Sequence, residues 1–420
     1  KPIDFVMNVN WTGWQYVTAD IPQDIDFPIK LRRLYLVEAK PERQSKGAIY
    51  LDHLEVVLPQ EIPTELLEGF ETEVKDPHNR LVPPANPQKE DEFRFVVFGD
   101  SKVIANSPGS IGNVILKRSI EMINNEENID FAIYTGDLIE HDTDENYQAG
   151  VEALQPLKVP YKMVIANHEI AKSNNYRNFN KYFGDTYYSF VHKNSYFIVL
   201  NSAKGGITVS DSKQWSWLRE ELEKASNLPG IDNVFVSMHI PTYDPNPGSD
   251  TGFSVAEAEM FEKLLGEYKR TSGKNVWLFH GHVHGFARRI RDGVQYICSA
   301  GSGSSLYLPP KFGGFYHYVV VDVKGDEISY QVYPLIDRIV ITPKAAVVEI
   351  GQEISFSAEA FGPQSLRFPL RYPAQAIWSV SDSTIGSIDN EGNFVAKNKG
   401  EVIVTITSGI YSESTTITVQ

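Results

Sequence analysis

The chain has little of three things, and each shortage excludes a class of protein. Among its 420 residues there is one cysteine, Cys298, so no intramolecular disulfide forms and no zinc site or cluster can be built from thiolates. Cys298 closes the apolar run Tyr296-Ile297-Cys298 and reads as a buried strand residue rather than a nucleophile. No apolar run is long enough to cross a bilayer as a helix. Basic charge is also short, with 39 Lys and Arg against 54 Asp and Glu and a net charge of -15. Such a surface repels nucleic acid and anionic lipid, so nucleic acid is excluded as a partner. The chain opens on Lys1 rather than Met, as a processed or excised piece would.

What is present divides into several domains, as a chain too long for one hydrophobic core should. Residues 1–60 alternate apolar and polar side chains, as in Ala48-Ile49-Tyr50-Leu51-Asp52, and read as a β-sandwich module. Residues 61–91 carry Pro63, Pro77, Pro83, Pro84 and Pro87 among charges and read as a linker. Across residues 92–336, buried-strand runs such as Phe93-Phe98, Phe131-Thr135 and Val234-Met238 alternate with helical spacing over 113–124, 211–225 and 255–269. That alternation predicts an α/β domain of parallel strands with helical crossovers. Residues 337–420 return to short strands broken by Gly351, Gly392 and Gly400, predicting a second all-β module.

The informative feature is the set of residues at the C-terminal end of each central strand. Phe93-Phe98 runs into Gly99-Asp100, Phe131-Thr135 into Gly136-Asp137, and Tyr161-Ile165 into Ala166-Asn167-His168-Glu169. Val234-Met238 runs into His239, and Val276-Phe279 into His280-Gly281-His282-Val283-His284. Ligands of open α/β sheets bind outside the carboxyl ends of the strands, so these clusters should meet in one crevice. Carboxylates with imidazoles suit a manganese, iron or zinc ion. The glycine-rich run Ala300-Gly301-Ser302-Gly303-Ser304-Ser305 lacks the lysine of a nucleotide-binding P-loop.

Taken in order, these five motifs resemble those of the calcineurin-like metallophosphoesterase superfamily. Gln214-Trp215-Ser216-Trp217-Leu218 and Arg288 lean toward its purple-acid-phosphatase-like branch. The resemblance implies a central α/β metallophosphoesterase fold, β-sheets flanked by helices, set between the two all-β modules. It implies one or two divalent or trivalent metal ions (Mn, Fe or Zn), with Asp137 bridging. Asn167, His239 and His282 would complete one site, Asp100 and His284 the other, and His168 would touch the phosphate or assist the leaving group. Arg288 would bind substrate, and the glycine-rich run at 300–305 would wall the crevice. Such a metal clamp polarises a phosphoryl oxygen and acidifies a bound water.

The sequence departs from the family pattern at three positions. The histidine common two residues after the first aspartate is Lys102, and an ammonium has no lone pair for a cation. Either Glu140 or His141, which stand where purple acid phosphatases place a tyrosine, supplies the missing ligand while Lys102 turns to substrate phosphate; or the ammonium itself fills the cation position between Asp100 and Asp137. Ala166 replaces a glycine, with strain expected if its φ is positive.

The flanking modules carry their own resemblances. Trp378-Ser379-Val380-Ser381-Asp382 and Gly392-Asn393-Phe394-Val395-Ala396 resemble a bacterial immunoglobulin-like domain. Trp11-Thr12-Gly13-Trp14 and Ile49-Tyr50-Leu51-Asp52-His53-Leu54 resemble the later strands of a carbohydrate-binding β-sandwich. The whole reads as an extracellular or cell-surface bacterial phosphoesterase acting on a mono- or diester, with a glycan or cell-wall-linked phosphate as substrate. The alternative is a catalytically degenerate metal-binding domain serving adhesion or glycan recognition.

Overall fold

The computed structural model describes residues 92–243, 253–371 and 374–420. The expected module at 1–60 and the linker at 61–91 lie outside these residues. The described chain runs β1 (Glu92–Phe98), α1 (Ile111–Ile123), β2 (Ile129–Tyr134), α2 (Asp144–Leu154), β3 (Tyr161–Met163), α3 (Arg177–Phe183), β4 (Tyr188–His192), β5 (Ser195–Val199), α4 (Ile207–Asp211) and α5 (Gln214–Asn227). It continues through β6 (Asn233–Ser237), α6 (Val255–Ser272), β7 (Asn275–His280), β8 (Phe286–Arg291), β9 (Val294–Ser299), β10 (His317–Lys324) and β11 (Glu327–Pro334).

These strands form two mixed sheets, ordered β11-β10-β1-β2-β3 and β4-β5-β6-β7-β9-β8. The period-two pattern of β1 explains why they face each other. Phe93, Phe95 and Val97 point into one buried cluster with Phe197, Phe235 and Phe279 of the second sheet. Val96 and Phe98 point the other way, against Ile115, Leu116 and Ile120 of α1 and Tyr147 of α2. The inter-sheet layer is aromatic: Phe95 stacks on Phe131 at 5.3 Å and meets Phe235 edge-on at 5.2 Å, geometries that add to plain burial. Leu218 and Leu222 of α5 and Phe261 and Leu265 of α6 cover the outer face of the second sheet. Helix α6 starts at Ser254, whose side chain accepts the Glu257 N–H, and ends at Gly273 with φ 71°, as a capped helix should.

The expected crossovers are present, since β1, β2 and β3 pair in parallel and so do β5, β6 and β7. The picture of parallel strands alone is corrected, because β4, β8, β10 and β11 pair antiparallel to their neighbours. The cause is local. Two-residue turns such as Asp292-Gly293, with φ of 50° and 77°, match the right-handed twist of the strands they join and so close hairpins.

From Arg338 onward the chain is all-β: β12 (Arg338–Thr342), β13 (Ala345–Val348), β14 (Glu353–Ser355), β15 (Ser357–Phe361), β16 (Arg367–Pro369), β17 (Ile377–Val380), β18 (Gly386–Ile388), β19 (Asn393–Ala396), β20 (Gly400–Ser408) and β21 (Tyr411–Val419). They make three small sheets, β12-β15-β16, β13-β21-β20-β17 and β14-β19-β18. Phe315 stacks on Phe368 at 4.8 Å, so the inter-sheet core continues into this region.

Candidate metal centre

The strands end together, and the loops beyond them are tied to one another through their backbones. Asp100 N–H donates to the Gly136 carbonyl at 2.9 Å, Lys102 N–H to Asp137 at 2.9 Å and Val103 N–H to Leu138 at 2.7 Å. The glycine-rich run closes the far side as expected, with Ser302 N–H on Gly99 and Ser304 N–H on Asp100. Gly303, at φ 147°, lies so near α1 that an added Cβ would fall 2.7 Å from the Gly112 Cα.

Four non-glycine residues here have positive φ: Asp100 at 64°, Lys102 at 54°, Asp137 at 52° and His282 at 72°. L-residues rarely adopt this conformation, and such strain gathers at functional sites. Ala166 is not among the positive-φ residues, so the strain expected of it does not arise.

The turns bring Asp100, Asp137 and His284 together, with ligand atoms within 4.8 Å of one another and all three residues buried. Asp100 Oδ1 accepts the His282 N–H at 2.8 Å, while its Oδ2 is buried with no partner. Burial and the neighbouring Asp137 carboxylate push the Asp100 carboxyl well above its ordinary range. A second group adjoins the first. His239 Nε2 lies 3.4 Å from Asp137 Oδ1, 3.0 Å from Asn167 Oδ1 and 3.2 Å from His282 Nδ1.

The imidazoles are held ready to ligate. His239 Nδ1 donates to the Thr135 carbonyl at 2.8 Å and His284 Nδ1 to the Ser305 carbonyl at 2.6 Å, which turns each Nε2 lone pair inward. Burial lowers His239, His282 and His284 to about 3, so all three are neutral at pH 7. A buried pair of carboxylates, an orphaned oxygen and inward lone pairs repel each other unless a cation lies among them. The donor set therefore fits a divalent metal centre. Gly281 leaves room for it, since a Cβ there would come within 2.5 Å of Asp100 Oδ2.

His168 sits at the rim. Its N–H donates to Asp137 Oδ1 at 3.1 Å, its Nδ1 bonds the Glu140 carbonyl at 2.7 Å, and its Nε2 lies 3.9 Å from Asp137 Oδ2. Lys102 Nζ stands 3.7 Å from the same Oδ2, a charge contact longer than a hydrogen bond.

Two of the expected residues stand outside this grouping. Glu140 is not in the group that gathers Asp100, Asp137 and His284. Its backbone is locked beside Val103 through its N–H, and its carbonyl serves His168; His141 is exposed. Arg288 lies away from the centre on β8, where Nη1 donates to Tyr330 Oη at 3.3 Å. There it borders a surface cleft of about 410 Å³ with Trp277, Gln295 and Gln375. Arg289 and Arg291 of the same strand pair with the buried Glu262 carboxylate.

Two contributors escaped the sequence reading. Glu169 is buried and accepts N–H bonds from Ala166 at 3.1 Å, Asp137 at 3.1 Å, Leu138 at 2.8 Å and Ile139 at 3.4 Å. Burial, then the Asp137 charge, lifts its carboxyl to about 8. Its place beside His168 in the motif was the available signal. Tyr307 carried no signal, because what matters is its ring lying on that of His284, centroids 4.0 Å apart.

Fold and site together define an α/β domain with a candidate metal centre at the ends of its strands. The central domain has the calcineurin-like metallophosphoesterase fold, and residues 93–286 match the family of calcineurin-like phosphoesterases. A curated relative, the serine/threonine-protein phosphatase CPPED1 of Danio rerio, is 27% identical over 155 residues, 35% of this chain and 49% of that protein. The chain thus spans about half the length of that relative. Among solved structures, the purple acid phosphatase PPD1 of yellow lupin (Lupinus luteus) is similar at TM-score 0.48 and 16% identity, covering 60% of this chain and 53% of that one. GAP50 of Plasmodium, the anchor in the inner membrane complex, is similar at TM-score 0.43 and 14% identity, covering 58% and 85%.

Proposed function

We propose that this chain hydrolyses phosphate mono- or diesters at a centre held by Asp100, Asp137 and His284 on one side and by Asn167, His239 and His282 on the other, with Asp137 shared. The observation that supports this most is the buried, unpartnered Asp100 Oδ2 beside Asp137 and the inward Nε2 of His284. When bound, a metal pair polarises a phosphoryl oxygen and makes a nucleophile available from water near neutral pH. The chain's own residues orient the reaction. His168, held through Nδ1 by the Glu140 carbonyl, presents Nε2 at the rim, where it can give a proton to the leaving oxygen. Lys102 offers its ammonium to a phosphate oxygen. The all-β region from Arg338 onward, with the β-sandwich module that the sequence leads one to expect at 1–60, favours an extracellular or cell-surface setting and a glycan- or cell-wall-linked phosphate.

Metal analysis of the purified chain, with hydrolysis of aryl phosphomonoesters and diesters under added Mn, Fe or Zn, tests this reading. Bound metal with turnover that a chelator removes and metal restores is the expected result. Bound metal without turnover on any ester would replace it by a degenerate binding domain. The observation favouring that second reading is the Lys102 ammonium 3.7 Å from Asp137 Oδ2. Lys102→Met separates the two. Loss of a phosphate contact should raise KM about tenfold with metal content unchanged, whereas a gain of metal would show that the ammonium had been holding a cation position.

A further inference from the structure

In the proposed function the centre holds the phosphate, and the group that carries the ester's alcohol needs a surface beside it. Tyr307 is placed to offer one. The residue is 43% exposed although its ring lies on His284 at 4.0 Å with an interplanar angle of 27°, so one face of the ring is covered. His284 belongs to the metal group, so the ring stacked on it stands beside the centre rather than on a remote surface.

The ring is fixed in advance. Tyr307 N–H donates to the His284 carbonyl at 2.9 Å, Gly314 N–H returns to Pro309 at 3.1 Å and Phe286 N–H bonds Gly313 at 2.9 Å. Leu308 is buried against Gly285. An aromatic surface held this way binds a ring with little loss of side-chain freedom.

We propose that Tyr307 is a specificity-determining platform, on which a ring in the ester's alcohol stacks while the phosphate sits at the metal centre. The class of substrate is a phosphate ester whose alcohol carries a ring next to the ester oxygen, either an aromatic ring or the flat C–H face of a sugar. The inference rests on the phosphoester reading of the centre.

The test is competition binding of non-hydrolysable phosphonates to the metal-loaded chain: phenylphosphonate and a glucose-derived C-glycosyl phosphonate, each against methylphosphonate. At least one ring-bearing phosphonate is expected to bind about tenfold more tightly than methylphosphonate, as stacking of one ring allows; which of them does so identifies the ring. Tyr307→Ala should bring that ratio near one, and Tyr307→Phe should keep it, with metal content equal in all three proteins. No ring preference in the wild-type chain, or a preference that survives Tyr307→Ala, overturns the proposal. Metal loss in both variants also overturns it, by showing that the tyrosine only supports His284. Intact ring preference with no ester hydrolysed would remove the hydrolase reading and leave this one standing.

Discussion

Asp137→Asn is expected to lose both metal and turnover, with hydrolysis down by about three orders of magnitude or more. The side chain reaches both halves of the centre: it groups with Asp100 and His284, and its Oδ1 lies 3.4 Å from His239 Nε2. An amide keeps the size and removes the charge. Metal-based stabilisation of developing phosphoryl charge is worth several kcal/mol, and each 1.36 kcal/mol is a factor of ten. The same substitution relieves the repulsion between Asp137 and Asp100, so the metal-free chain should not become less stable. The checks are plasma mass spectrometry of the dialysed protein, steady-state hydrolysis and a denaturation curve without metal. Full turnover in the variant would show that Asp137 is not a ligand.

Glu169→Ala should instead strike stability first and metal second. One buried carboxylate collects the N–H groups of Asp137, Leu138, Ile139 and Ala166, drawing together the loops after β2 and β3. Without it these buried donors are unpaired, each at roughly 1–3 kcal/mol before water enters, so a loss of about 4 kcal/mol is expected in chemical denaturation. Because Asp137 is held at positive φ by this clamp, metal affinity should fall about 10- to 100-fold, as for other groups that orient ligands. Glu169→Gln keeps one acceptor oxygen and should recover part of both. Equal loss in Gln and Ala would mean that the charge rather than the acceptor matters. Unchanged metal affinity in the Ala variant would show that the clamp does not position Asp137.

Much of the domain was legible because burial imposes periodicity. The alternation in Phe93-Phe98 has an inward face of Phe93, Phe95 and Val97 and an outward face of Val96 and Phe98, and the structure uses them for two different layers. The spacing in 255–269 marked α6, whose ends are set by Ser254 and Gly273. The division into two sheets was not legible in the same way. Tyr196-Leu200 is apolar throughout and Val234-Met238 nearly so, and a strand buried on both faces does not say which sheet it joins. The hairpin turn Asp292-Gly293 was a readable signal for β8 and β9, outweighed by the arginines around it.

For the site, the sequence by itself picked out the candidate donors: Asp100, Asp137, Asn167, His239, His282 and His284 each come after an apolar strand, and strand ends are where such residues can converge. Only the tertiary structure decided where Lys102 points, that the Glu140 carbonyl holds His168, that Arg288 faces Tyr330, and that Tyr307 lies on His284. The physical reason is that a strand carries its C-terminal residue to a place fixed by the sheet, whereas a loop side chain's direction depends on positive-φ turns and on backbone partners distant in sequence.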